Sequence, residues 1–242
     1  MKTQRLNAVL DQMKKNSIDQ MLISDPYAIF YLTGKMIHPG ERLLALYINV
    51  NGNNKMFINE LFPVTEDLGV EMVWFNDTQN SVEIVSNGID KNGTIGVDKN
   101  WPAKFLLALM DLCPGCKFVN SSYIVDTLRS SKDEEEKDLM RKASALNDEA
   151  MKRLKDTINA DLTEKQLANK LSGIYEDLGA DGFSFSPIIG FGPTGADPHG
   201  TPGDRKVKAG DAIILDIGCV KDNYCSDMTR TVFYKEAPEK AI

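Results

Sequence analysis

Up to about residue 120 the chain alternates short apolar runs with stretches of helical periodicity. The runs predict strands at residues 20–24, 43–49, 55–59, 71–75, 94–98 and 117–120. Helices are expected at 2–16, 25–32, 60–68, 79–86 and 102–112, and Asn51-Gly52 marks a hairpin between two strands. This alternation points to an α/β domain. Residues 121–131 read as a link to a unit with a different pattern. There Ser131 and Glu134 have capping-box spacing ahead of a long helix carrying Leu139, Ala143, Leu146, Ala150 and Leu154 on one face. The acidic run Asp133 to Glu136 reads as a solvated first turn that complements the helix N-terminus. Thr163 and Gln166 cap a second helix with Leu167, Leu171, Ile174 and Leu178, closed by Gly179. From Gly182 onward the pattern is strand and loop, which predicts an α+β unit of two helices on an antiparallel sheet. The expected domains are residues 1–125 and 126–242.

Composition narrows the function classes. A net charge of −7 and a pI near 5.0 exclude nucleic acid or an anionic membrane as the main partner. No apolar run approaches the ~18 residues of a membrane span, and the amphipathic start lacks the features of a signal peptide. Four cysteines are too few for a disulfide-built fold, so the reading is a reduced, cytoplasmic protein. Cys113-Pro-Gly-Cys116 has CxxC spacing, but no second such pair or nearby His completes a metal site, and a Pro-Gly turn ending a helix accounts for it.

Three features bear chemistry. Gly190 to Gly195 spells GxGxxG, yet Pro198 and Pro202 follow too closely for the helix a dinucleotide site requires. The match is accidental, and the segment reads as a long irregular loop of the kind that lines a site. His199 lies in that loop, either as a site residue or as an exposed side chain. The third feature is the pair Asp216 and Asp227. If residues 211–217 and 224–233 form a hairpin whose turn is centred between Lys221 and Asp222, opposed residue numbers sum to 443 and the two aspartates face one another. Opposed positions hold their Cβ atoms ~4.5–5.5 Å apart, where two carboxylates repel unless a cation lies between them. That separation suits a pair of divalent ions ~3.5–4 Å apart. From spacing alone, a salt-bridged pair using Arg230 or Lys221 is an equal alternative.

Asp197-Pro-His199, Val207-Lys-Ala-Gly-Asp211, Leu215-Asp-Ile-Gly218 and Tyr224-Cys-Ser-Asp-Met-Thr-Arg230 together resemble the pita-bread metallopeptidases, within them the Xaa-Pro dipeptidases (prolidases) and Xaa-Pro aminopeptidases. Tyr31-Leu-Thr-Gly34, Leu128 to Glu136 and Ser186-Pro-Ile-Ile-Gly190 extend the likeness over the whole chain. The resemblance implies a creatinase-like N-terminal α/β domain and an α+β pita-bread catalytic domain. It implies that Asp216 and Asp227 are the first two ligands of a dinuclear centre of manganese, cobalt or zinc, with Asp227 bridging. The ions of such a centre activate water and polarise the carbonyl of an Xaa-Pro bond. His199 matches the histidine that contacts the substrate and helps stabilise the tetrahedral intermediate. His38, in the segment Tyr31 to Arg42, matches a loop that reaches the neighbouring subunit's site in a homodimer, or is simply an exposed loop residue. Proline-containing dipeptides or short peptides are the implied substrates.

One departure stands out. The family's other ligands, a histidine and two glutamates, lie well downstream of the second aspartate, whereas this chain has only Glu236 and Glu239 there and no histidine. Pro238 onward reads as the first turn of a helix. The expectation is therefore a truncated pita-bread domain, inactive as it stands and holding metal weakly. Two other readings remain: a catalytically dead pita-bread module that binds or dimerises, and a metal-free creatinase-like amidinohydrolase, which the presence of both aspartates disfavours.

Overall fold

A computed structural model describes residues 1–239. The chain divides into two compact units, Met1–Ser131 and Lys132–Ile242. In the first unit the elements run α1 (Thr3–Lys15), β1 (Gln20–Ile23), α2 (Pro26–Thr33), β2 (Ala45–Asn49), β3 (Lys55–Asn59), β4 (Glu71–Phe75), α3 (Ser81–Gly88), β5 (Gly93–Val97), α4 (Ala103–Leu112), β6 (Cys116–Asn120) and α5 (Ser122–Ser130). The strands form one sheet in the order β4-β3-β2-β1-β5-β6, with β2 antiparallel to both its neighbours and the other pairs parallel.

Helices cover both faces, so the central strands are apolar on both sides. Met21, Ile23, Leu46, Ile48, Met56 and Ile58 share one core with Val9, Met13, Ile29 and Ile124. The alternate residues Leu22, Tyr47 and Phe57 join Val85, Phe105 and Leu109 in the other. Two expectations fail here. Residues 60–68 are turns because Pro63 interrupts the helical pattern and the Asn59 side chain accepts the Leu61 amide at 2.9 Å. Residues 122–130, read as a link, are helical because Ile124 and Val125 bury their side chains in the first core.

The second unit contains α6 (Glu134–Asp156), α7 (Glu164–Leu178), β7 (Gly182–Phe183), β8 (Ile188–Phe191), a 3₁₀ turn (Gly192–Ala196), β9 (Ala212–Ile217), β10 (Cys219–Lys221), β11 (Tyr224–Cys225) and β12 (Met228–Phe233). The expected helix from Pro238 runs into residues 240–242, outside those described. The α6 cap is Asp133 with Glu136, not Ser131 with Glu134. Glu136 is not a solvated residue either: it is 4% exposed and accepts the Tyr224 hydroxyl at 3.1 Å. Thr163 and Gln166 form the second box as expected, and Gly179 closes α7 with φ 75°.

Antiparallel β12-β9-β8 carries the helices on one face. Ile213, Leu215 and Ile217 point into the core formed with Ala150, Leu154, Leu167 and Leu171. The strand's period of two then sends Ala212, Ile214 and Asp216 to the opposite face. A buried polar node also reaches this strand. Tyr175 donates to Asn147 at 2.7 Å, and Asn147 donates to the Ile217 carbonyl at 3.1 Å. Asn147 is fully buried, and as a polar residue within the α6 stripe it stood outside the predicted apolar face.

The hairpin register differs from the expected one. Asp222 and Asn223 both have positive φ, 51° and 63°, so they are the two central residues of the turn. Every observed pair then sums to 445, from Lys221 with Tyr224 to Phe233 with Ala212. Asp216 lies opposite Thr229, not Asp227.

Asn223→Val should cost the second unit about 1–2 kcal/mol, because a β-branched residue tolerates the left-handed region poorly, whereas Asn223→Gly should be close to neutral. Urea unfolding checks both. Asn147→Ala should destabilise the same unit by about 1–3 kcal/mol for each of the two groups it orphans, the Tyr175 hydroxyl and the Ile217 carbonyl. Adding Tyr175→Phe should recover part of that loss.

Candidate metal and peptidase site

Asp216 and Asp227 lie on one hairpin of the second unit, and His199 lies on one of its loops. The hairpin ladder is interrupted where Gly218 faces Asp227. On one side of the break the Ser226 amide donates to the Cys219 carbonyl at 2.8 Å, and on the other Met228 pairs with Ile217. Gly218 is needed at the break because a Cβ there would lie 2.3 Å from both Ser184 Oγ and the Ser226 carbonyl oxygen. Ser226 Oγ accepts the Cys219 amide at 3.0 Å, satisfying that donor inside the core. Burial pushes the Cys219 thiol and, more strongly, the Tyr175 hydroxyl above their ordinary pKa ranges, so both stay protonated.

With this register Asp216 and Asp227 share a face as diagonal neighbours. Such positions lie roughly 7–8 Å apart between backbones and less between Cβ atoms, still within reach of two carboxylates holding a pair of ions. Asp216 is half-buried, and Thr229 donates to its Oδ1 at 2.8 Å. Asp227 is exposed and has no hydrogen bond or ion pair among the described residues.

The cations that could have neutralised the pair are directed elsewhere. Arg230 donates to the Thr229 carbonyl, while Lys221 donates to the Gly179 carbonyl and lies 3.5 Å from Asp181. Two hard oxygen donors of like charge, one of them oriented by a hydroxyl, fit as part of a divalent-cation site. Among the described residues no three His, Cys, Asp or Glu side chains converge on a point that could hold an ion. Thr229 is the contributor that sequence reasoning missed; its place opposite Asp216 follows only from the correct turn.

His199 is exposed in the loop after β8. Asp197 Oδ1 accepts the His199 amide at 2.9 Å, and the Gly200 amide reaches the Asp197 carbonyl at 3.1 Å, closing a tight turn at the histidine. The GxGxxG stretch runs from the end of β8 into a 3₁₀ turn rather than opening an α-helix.

His38 is also exposed, in the first unit, within the segment after α2. That segment is tied down by Arg42, which donates from Nε and Nη2 to the two Asp77 oxygens at 2.9 and 2.7 Å. The Arg42 guanidinium holds the Asp77 carboxyl below its usual range. Cys113 is buried at the end of α4 and in contact with Ser86 Oγ at 3.6 Å, and all four cysteines are free thiols. Among the described residues no helix is long and apolar enough to cross a membrane.

Comparisons with known proteins agree with this layout. The profile of Metallopeptidase family M24 matches residues 138–242, and that of the Creatinase/Prolidase N-terminal domain matches residues 5–131. An uncharacterized peptidase of Staphylococcus saprophyticus is 31% identical over 241 residues, covering 98% of this chain and 68% of its own. The crystal structure of a dipeptidase from Pyrococcus horikoshii superposes with a TM-score of 0.88 at 31% identity, over 98% of this chain and 67% of that one. A prolidase from Thermococcus sibiricus gives 0.87 at 26% identity, over 99% of this chain and 67% of that one. The chain thus spans about two thirds of the length of these relatives. It belongs to metallopeptidase family M24, with a creatinase/prolidase N-terminal domain ahead of a pita-bread domain.

Proposed function

We propose that these residues belong to a metal-dependent peptidase that cleaves Xaa-Pro bonds in dipeptides or short peptides. The observation that carries the reading is the diagonal pair Asp216 and Asp227, left without a protein cation and with Thr229 orienting one member. Likeness to a dipeptidase and a prolidase supports the substrate class. Two divalent ions, manganese by preference and cobalt or zinc as alternatives, would supply Lewis acidity and lower the pKa of water at the site.

The protein's own groups have separate tasks. Asp216 and Asp227 hold charge at the site, with Thr229 limiting the rotation of the Asp216 carboxylate. His199 contacts the substrate and donates a hydrogen bond to the carbonyl oxygen as tetrahedral charge builds. An Xaa-Pro substrate offers no N–H at its scissile nitrogen, so recognition has to rely on the carbonyl, the termini and the ring. In a homodimer, His38 would serve the site of the second copy. A catalytically dead binding or dimerisation module is the second reading, favoured by the absence of a third converging ligand among the described residues.

The 242-residue chain should hydrolyse no Xaa-Pro dipeptide even with added Mn²⁺. Turnover that disappears in Asp227→Ala would refute that expectation. Activity is tested on a longer polypeptide that joins this chain to a segment supplying a histidine and two glutamates as further ligands. The longer product should cleave Xaa-Pro in preference to Xaa-Ala dipeptides and lose at least about a hundredfold in Asp227→Asn, since even an indirect metal contact costs 10–100-fold. A longer polypeptide that binds peptide but turns none over would instead favour the binding module.

A further inference from the structure

Glu164 is a carboxylate that the proposed peptidase chemistry does not use. It is 1% exposed, at the first position of α7, and has no ion-pair partner among the described residues. Helix capping does not explain it, because Thr163 already accepts the Gln166 amide at 3.2 Å. The Glu164 side chain is directed to the loop that carries His199. Its Oε1 accepts the Phe191 amide at 2.8 Å and the Thr194 hydroxyl, while Oε2 accepts the Gly203 amide at 2.9 Å. One carboxylate therefore grips both the departing and the returning arm of the loop.

The backbone reinforces the returning arm. The Glu164 amide donates to the Arg205 carbonyl at 3.1 Å, the Lys165 amide donates to the Gly203 carbonyl at 3.0 Å, and Thr163 bridges Lys206. Beyond the first position, Asp211 receives Arg205 Nη2 at 3.2 Å and the Lys208 amide at 2.8 Å. The departing arm leaves the β8–β9 ladder at Phe191, which pairs with Ile213, and Glu164 Oε1, the Phe191–Thr194 contacts and the Asp197 amide on the Thr194 carbonyl then close it. A buried anion at a helix N-terminus with three donors is well stabilised without a countercharge, and the bonds are charge-assisted.

We propose that Glu164 is the positioning residue of the His199 loop, cinching residues 191 and 203 together so that His199 is presented on a closed, pre-formed loop. Its consequence for catalysis rests on the peptidase reading, since it acts through His199.

Hydrogen exchange on the 242-residue chain tests it without any substrate. In Glu164→Ala the Phe191 and Gly203 amides and those between them should exchange at least about tenfold faster, as loss of a charged hydrogen-bond acceptor implies. The amides of Leu167 to Tyr175 and of β9 should keep their protection. Glu164→Gln, which retains one acceptor oxygen, should fall between. Thr194→Val should loosen the departing arm while Gly203 stays protected, and it serves if Glu164→Ala does not fold. The His199 ring resonances should move toward free-histidine positions in Glu164→Ala and return toward wild type in Glu164→Gln. Faster exchange spread evenly over α7 and β9 would mark a merely structural role and overturn the proposal, as would an unchanged loop. A failure of the peptidase reading, seen as a longer polypeptide that shows no Xaa-Pro turnover, would leave these exchange results standing.

Discussion

The two-residue turn at Asp222 and Asn223 is the constraint on which the proposed site depends. Two consecutive residues in the left-handed region set the twist and the register of everything paired behind them. Because side chains alternate along a strand, that register decides which residues share a face with Asp216. It puts Thr229 beside Asp216, Gly218 opposite Asp227, and the two carboxylates on a diagonal. The core sets the same parity independently. Ile213, Leu215 and Ile217 must face the helices, which leaves Asp216 on the other side.

Buried polar groups then hold the hairpin and its neighbouring loop in place. Asn147 joins α6 to the last residue of β9 through the Ile217 carbonyl, and Tyr175 secures Asn147 from α7. Ser226 satisfies the Cys219 amide where the ladder breaks. Glu164 does the corresponding work for the loop after β8. Asn147, Tyr175 and Glu164 lie on helices whose apolar pattern is strong, so folding the pattern automatically delivers the polar group to its partner. Removing one partner leaves the other unsatisfied in a dry interior, which costs more than the bond itself contributes.

Much of this was legible in the sequence. The period-two and period-3.6 patterns located nearly all the elements, and Asp216, Asp227 and His199 stood out by residue type and setting. The register was not, because a polar run from Lys221 to Asn223 does not by itself fix the turn centre; Asp222-Asn223 is the signal, as both residue types tolerate positive φ. Helix at 60–68 was overpredicted because apolar spacing outweighed Pro63, and helix at 122–130 was missed because a short Ser-rich start concealed Ile124 and Val125. Asn147, Glu164 and Glu136 were invisible as structural residues, since a polar side chain on a helix reads as solvent-facing until its partner across the fold is known.

The central claim is that Asp216 and Asp227 form one cation-binding pair on one face of the hairpin. Backbone amide spectra of the chain, recorded with sub-stoichiometric Mn²⁺, test this directly through paramagnetic broadening. The resonances of Asp216, Asp227 and Thr229 should broaden first and together, and Asp227→Asn should abolish the effect. Broadening that begins at Glu134 to Glu136, with the hairpin unaffected, would contradict it.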